Sequence, residues 1–183
     1  MTQQSTMIFE TDRLLLRQQV PEDFEALWAF HCNPENVRFY LDAPNTREEV
    51  RQELEWHLDW YHRENEFGTW AIIHKETGNF IGLCSLMPWT IDGKDEVEMA
   101  YILAQEFRGQ GLGSELSQAV VRHGFEKLNL PRMISLVEPE NKTSRRVVEK
   151  IGMRFEKEGQ DESGPFLVYA IDQADRDSDV SEK

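Results

Sequence analysis

Six consecutive residues, Arg108-Gly109-Gln110-Gly111-Leu112-Gly113, carry the clearest chemical signal in the chain. Three glycines at every second position relieve Cβ crowding and let the backbone turn sharply. The apolar-rich stretch Val97-Glu98-Met99-Ala100-Tyr101-Ile102-Leu103 runs into them, and a helical pattern from Leu112 to about Leu128 runs out. A strand, a Gly-rich turn and a helix start leave bare N–H groups at the first helical turn, where the helix dipole is mildly positive. Such an arrangement holds anions, most often phosphate, and Arg108 adds a fixed positive charge beside it. Two common phosphate loops do not fit. The nucleotide P-loop ends in Gly-Lys-Ser/Thr, whereas Gly113 is followed by Ser114 and Glu115. The dinucleotide fingerprint G-x-G-x-x-G, started at Gly109, requires glycine where Ser114 stands. The pattern that fits is Arg/Gln-x-x-Gly-x-Gly, met by Arg108, Gly111 and Gly113. A ligand-free strand-to-helix turn is the plain alternative.

This loop resembles the pyrophosphate-binding loop of the GNAT superfamily of acetyl-CoA-dependent N-acetyltransferases. The resemblance implies acetyl-CoA as co-substrate. Its contacts would come from Ile102 on the incoming strand, from the run Arg108, Gly109, Gln110, Gly111, Leu112 and Gly113, and from Ser114. Acetyl transfer to an amine needs a neutral nucleophile, a donor for the carbonyl oxygen and a proton or donor for the departing sulfur. Glu98 lies on the strand entering the loop, between Val97 and Met99, which point to the opposite face. A carboxylate there is costly unless paired or used. Glu98-Met99-Ala100-Tyr101 looks like the Glu-apolar-small-Tyr of many superfamily members, in which this acid often serves as general base. A solvated edge position or a salt bridge is the competing reading, and Glu96, on the same face, is the alternative base.

A second constellation begins 28 residues after Gly113, at Asn141-Lys142-Thr143-Ser144, and continues to Ile151-Gly152-Met153. It resembles the later GNAT motif, especially in the Rim-type branch that acetylates the N-termini of ribosomal proteins. There the Asn contacts the pantetheine arm and the Ser lies near the thioester sulfur, which implies cofactor binding by Asn141 and Ser144 and a catalytic role for Ser144. An ordinary helix N-cap at Asn141 or Thr143 is the alternative. Many superfamily members carry a Tyr acid four residues after the Ser. Here that position is Val148, as is common in the Rim-type branch, so the group that protonates the thiolate stays open between Ser144 and water. Arg145 and Arg146 could reach cofactor phosphates or form a solvated helix face. His31, His57, His62, His74 and His123 show no ligand spacing and read as surface or core residues.

The elements that must position these groups follow from periodicity. Residues 1 to about 8 read as a frayed tail, and Arg13-Leu14-Leu15-Leu16-Arg17 as a strand. Pro21-Glu22-Asp23 opens a helix that Asn33-Pro34 stops. Asn45-Thr46 caps a helix from Arg47 to about Asn65, with Val50, Leu54, Leu58 and Tyr61 on its core face. Trp56 and Trp60 form a second stripe, read either as packing or as the wall of a substrate pocket. Strands follow at Thr69–Ile73 and Phe80–Leu86, with a Thr77-Gly78-Asn79 turn between them, then at Glu96–Leu103. After the long helix come a strand at Met133–Val137, a short helix from Arg145 to Ile151 capped by Gly152, and strands at Met153–Glu156 and Phe166–Ala170. The element order resembles the GNAT fold: α/β (α+β), a mixed, mostly antiparallel twisted sheet with helices on both faces. One domain over 1–171 and a disordered acidic tail over 172–183 are expected.

Composition sets the outer bounds. The chain has 183 residues, 39% of them hydrophobic, and five tryptophans, which fits a globular domain. No apolar run approaches the roughly 18 residues of a membrane span, and the N-terminus lacks a signal core, so membrane binding is not expected and cytoplasmic residence is the default. Cys32 and Cys84 have no metal spacing and no disulfide framework, so both read as reduced. A net charge of −14 argues against direct nucleic-acid binding and is compatible with a cationic substrate. The resemblance implies an enzyme acting on a primary amine, most specifically a protein or peptide N-terminal α-amine such as a basic protein N-terminus. The alternatives are a small-molecule amine (polyamine, amino acid or antibiotic) as acceptor, and a non-catalytic acyl-CoA-binding module. Monomer and homodimer are both compatible with the sequence.

Overall fold

The structure, a computed structural model, describes residues 5–40, 42–63, 66–91, 93–161 and 163–174. Strands are β1 (Met7–Glu10), β2 (Leu14–Arg17), β3 (Gly68–His74), β4 (Phe80–Ile91), β5 (Lys94–Leu103), β6 (Arg132–Val137), β7 (Arg154–Gln160) and β8 (Pro165–Asp172). Helices are α1 (Phe24–His31), α2 (Pro34–Val37), α3 (Arg47–Arg63), α4 (Leu112–Glu126) and α5 (Lys142–Lys150). The strands form one mixed, mostly antiparallel sheet in the order β1-β2-β3-β4-β5-β6-β8-β7, in which β5 and β6 run parallel. The chain divides into two compact units: Met1–Ser85 with Tyr101–Leu112, and Leu86–Ala100 with Gly113–Lys183.

In the first unit, β2 pairs antiparallel with β1 and with β3. The core joins Phe24 and Leu27 of α1, Val50 and Leu54 of α3, and Leu83 of β4, with Ile102 packed at its edge. Full burial of side chains such as Leu27 or Val50 contributes about 1.5–3 kcal/mol each. The start of α3 is fixed by reciprocal capping: Thr46 Oγ1 accepts from the Glu49 N–H at 3.2 Å, and Glu49 Oε2 accepts from the Thr46 N–H at 3.1 Å. Two histidines lie in this core. His31 Nε2 is 3.0 Å from Glu53 Oε2. His57 Nδ1 is 2.9 Å from Gln19 Nε2, and burial pushes its pKa down to about 4. Gly82 must be glycine, because a Cβ there would lie 2.0 Å from the Ile102 carbonyl oxygen.

In the second unit, β8 pairs antiparallel with β6 and β7. Ile134, Val168 and Ala170 form a core cluster, with Ile91, Leu136 and Phe166 against it. Glu98 of β5 is in register with Ile134 of β6. A Cβ on Gly124 of α4 would meet Met133 Sδ at 2.4 Å, so glycine there makes room for the Met133 side chain from β6. Gly152, at φ +94, closes α5 with its N–H on the Glu149 carbonyl and the Met153 N–H on the Val148 carbonyl.

Several boundaries move from their sequence positions. Met7 pairs with Arg17 and Ile8 lies within β1 rather than fraying, while residues 1–4 lie outside the described residues. Pro34 does not only stop α1. It starts α2, and Asn33 Oδ1 caps that helix by accepting from the Glu35 N–H at 3.1 Å. β4 runs five residues past Leu86 and β7 four past Glu156. The expected tail at 172–183 starts too early: Asp172 ends β8 opposite Arg132, and the Gln173 N–H bonds the Pro131 carbonyl at 3.0 Å. Residues 175–183 lie outside the described residues.

Candidate active site

The Gly-rich loop has the backbone its sequence implies. Gly109 and Gly111 take φ of +75 and +81, a region L side chains rarely adopt. Leu112, buried at 1% exposure, anchors the first position of α4, and Gly113 and Ser114 follow in its first turn. A 15-residue helix starting there presents N–H groups without intrahelical partners. Exposed glycines, bare N–H groups and the positive end of a long helix fit a pyrophosphate.

Arg108 serves this loop differently from the expected free charge. Its Nε donates to the Leu103 carbonyl at 2.8 Å and its Nη2 to the Asn36 carbonyl at 2.9 Å, so it clamps the loop to its own unit. Gln110 is also bound back, with Nε2 on the Glu106 carbonyl at 2.7 Å. The cation at the glycines is Arg13, which sequence reasoning missed. Its Nη1 donates to the Gln110 carbonyl at 3.0 Å, and its Nη2 lies 3.6 Å from where a Gly111 Cβ would stand. A separation of 97 residues leaves no local signal for this contact. Ile102 is half-buried on β5 against Gly82. On α3 of the same unit, the Trp56 and Trp60 rings lie 5.4 Å apart at 42°, and Trp56 is 48% exposed.

In the second unit the two candidate bases are in different states. Glu96 is held by Arg132, with Nε 3.1 Å from Oε2. The same guanidinium reaches Asp172 at 3.3 Å and also pairs with Glu156. Glu96, Arg132 and Glu156 line a cleft of about 610 Å³ with Lys94, Asp95, Val97 and Pro131. Glu98, two residues along β5, forms no ion pair among the described residues. Burial pushes its carboxyl up to about 7, against the opposing pull of hydrogen bonds from the Leu136 backbone N–H and the Trp89 side chain.

The α5 motif folds as a capped helix. Asn141 Oδ1 accepts from the Ser144 N–H at 3.0 Å, so the N-cap geometry is present and the Asn141 amide NH₂ is a separate donor. Ser144 is half-buried in the first turn. Val148 is buried at 1% exposure and has no proton to give. Arg145 does not act as a free phosphate ligand. Its Nε lies 3.3 Å from the Tyr169 hydroxyl, which donates to Glu149 Oε1 at 3.1 Å. Arg146 is exposed.

A family model described as an acetyltransferase (GNAT) domain matches residues 13–154. The chain belongs to the GNAT family. It is 30% identical over 161 residues to protein YkkB of Bacillus subtilis, across 87% of this chain and 92% of that one. It is 32% identical over 153 residues to a Bacillus subtilis protein named as N-acetyltransferase YoaA, across 83% and 84%. Among solved structures, an apo crystal form of RimL, titled a ribosomal L7/L12 alpha-N-protein acetyltransferase, superposes with a TM-score of 0.78 at 19% identity, covering 93% of this chain and 96% of that chain. A second RimL structure contains Coenzyme A. This GNAT chain is an N-acetyltransferase with acetyl-CoA as co-substrate. Among the described residues, no helix is long and apolar enough to cross a membrane, and no group of three or more His, Cys, Asp or Glu could hold a metal ion.

Proposed function

We propose that this GNAT enzyme acetylates the α-amine of a protein or peptide N-terminus, with Glu98 as general base. The observation that carries the reading is the Glu98 carboxyl, raised to about 7. An α-ammonium, with a pKa of about 7.7–8.0, releases its proton to such a carboxylate against a gap of only about one unit. The 2.5-unit rise from the ordinary value of 4.5 makes that transfer about 3.4 kcal/mol less uphill. A lysine or polyamine ammonium, near 10.4, stays about 3.4 units, or about 4.6 kcal/mol, from the neutral form at pH 7.

In this reading acetyl-CoA supplies the activated acetyl group, with its pyrophosphate held by the loop from Arg108 to Ser114 and Arg13 alongside. The Asn141 amide NH₂ donates to the pantetheine arm. Glu98 takes one proton from the ammonium, and the nitrogen attacks the thioester carbonyl carbon. As the C–S bond breaks, the nitrogen loses a second proton and the sulfur gains one, for which Ser144 Oγ–H or water is the donor. Val148 leaves no tyrosine acid for that step, which matches an acceptor whose deprotonation is easy. The Trp56/Trp60 stripe is assigned to the acceptor side. A basic protein N-terminus as partner suits the −14 net charge. That charge favours a polyamine acceptor equally, which makes polyamine acetylation the second reading.

Competition separates the two. N-terminal peptides and spermidine are presented at equal concentration with acetyl-CoA, and products are resolved by mass. The proposal expects a peptide with the highest specificity constant. A value for spermidine above that of every peptide overturns the α-amine assignment and leaves acetyl transfer standing.

A further inference from the structure

The turn before β2 is closed in both directions. The Thr11 N–H donates to the Leu14 carbonyl at 2.8 Å, and the Leu14 N–H donates to Thr11 Oγ1 at 3.0 Å. Leu14 is buried and pairs with His74 of β3, and the Arg13 carbonyl accepts from the Lys75 N–H at 2.9 Å. The Arg13 backbone is thereby fixed to the sheet. Its exposed side chain crosses to the Gly-rich loop, within the same compact unit. There Nη1 donates to the Gln110 carbonyl at 3.0 Å, and Nη2 lies 3.6 Å from where a Gly111 Cβ would stand.

This contact decides which way one peptide faces. In a planar trans peptide the C=O and the following N–H point in opposite directions, and the described residues contain no cis bond. With the Gln110 carbonyl turned to Arg13, the Gly111 N–H is turned to the other side, where it has no acceptor among the described residues. The peptide is prone to flip. Gly109 and Gly111 stand on either side of Gln110 at φ +75 and +81, and glycine takes positive and negative φ about equally. Rotating ψ of Gln110 and φ of Gly111 together would exchange the two groups and present a carbonyl oxygen to an anion in place of a donor. The other restraints act elsewhere. Arg108 holds the Leu103 and Asn36 carbonyls, and the Gln110 side chain holds the Glu106 carbonyl.

We infer that Arg13 is a positioning residue for acetyl-CoA: its guanidinium holds the Gln110 carbonyl away from the co-substrate and so aims the Gly111 N–H at the pyrophosphate. The inference rests on the reading of residues 108–114 as the pyrophosphate loop. Arg13 acts through the peptide and from its opposite face. A cation on the carbonyl also polarises the peptide, which makes its N–H a stronger donor.

The test needs no amine acceptor. The probes are CoA and pantetheine, which keeps the thiol arm and lacks the pyrophosphate. Arg13→Met retains an apolar stem and removes the donors. Calorimetry with CoA should show Kd raised by about tenfold in that variant, the low end for one hydrogen bond to a charged group. Arg13→Lys, with one ammonium in place of the planar fork, should show a smaller rise. Pantetheine, titrated by NMR, should bind wild type and Arg13→Met alike. In the ligand-free protein the Gly111 amide ¹H–¹⁵N resonance should move in Arg13→Met, because the peptide plane is released. A CoA Kd within about twofold of wild type in Arg13→Met overturns the inference. An equal loss for pantetheine overturns it too, since the damage would then not be confined to the pyrophosphate. So does a tenfold loss for CoA with the Gly111 resonance unmoved, which would make Arg13 a direct phosphate contact. A wild-type protein that binds CoA no more tightly than pantetheine overturns the loop reading instead, so the two failures are distinguishable.

Discussion

Replacing Glu98 with Gln should stabilise the protein, and by an amount that grows with pH. The folded carboxyl is raised from 4.5 to about 7 by burial. Below 4.5 the group is protonated in both folded and unfolded chains, and the shift has no effect. Between 4.5 and 7 the unfolded chain gives up its proton while the folded chain keeps it, so unfolding is favoured by about 1.4 kcal/mol per pH unit. Over the 2.5-unit gap the folded state loses up to about 3.4 kcal/mol, and above pH 7 the loss is constant. Gln keeps the shape and carries no charge, so it escapes this loss. For a chain of this length about 1 kcal/mol moves the melting temperature by about 2–4 °C. The variant should therefore melt close to wild type near pH 4.5, apart from any constant offset, and about 7–14 °C above that baseline by pH 8. Thermal melts of both proteins at pH 5, 6, 7 and 8 measure it. A difference that does not change with pH would refute the reasoning, because it would mean that Glu98 ionises alike in the folded and unfolded chains.

The remaining predictions concern other elements. Gly111→Val should weaken acetyl-CoA binding by at least about tenfold in a folded protein, since a β-branched residue at φ +81 is strained; calorimetry showing unchanged affinity contradicts this. Gly82→Ala should lose about 3 kcal/mol or more in urea melts, because its Cβ would overlap the Ile102 carbonyl oxygen at 2.0 Å; a loss under about 1 kcal/mol would show that β4 and β5 can shift apart there. Truncation before Asp172 should lower the melting temperature, since it removes the last β6–β8 pair and the Gln173 bond to Pro131; an unchanged melt would show that neither bond matters.

The loop was legible because its information is local. Three alternating glycines between an apolar strand and a helix start specify a backbone that few other residues can adopt, and Gly109 and Gly111 adopt it. The α5 motif was legible for a similar reason, since Asn141 caps a helix three residues before Ser144. What escaped depends on partners distant in sequence. Arg108 turns inward because the Asn36 carbonyl is there to accept from it, and Arg13 reaches the loop from 97 residues away. The choice between Glu96 and Glu98 turns on Arg132, whose neighbours Glu156 and Asp172 are also remote in sequence. At the edges, β1 is only four residues long and half exposed, so pairing with β2 rather than intrinsic pattern makes it a strand. The strand expected at Phe80–Leu86 stops short of Pro88 and Trp89, yet β4 carries both as an exposed strand end.

The most direct test of the account is the pH dependence of kcat/KM for an N-terminal peptide in wild type and Glu98→Gln, at saturating acetyl-CoA. The account predicts a wild-type profile that falls below an acidic limb near pH 7 with unit slope, the value of the Glu98 carboxyl. In Glu98→Gln that limb should vanish, and turnover on the plateau should drop by about tenfold or more, within the range of ~10²–10⁴ for a general base or just below it. A Gln variant that keeps both the limb and the wild-type rate would contradict the account, and would assign proton removal to Glu96 or to bulk water.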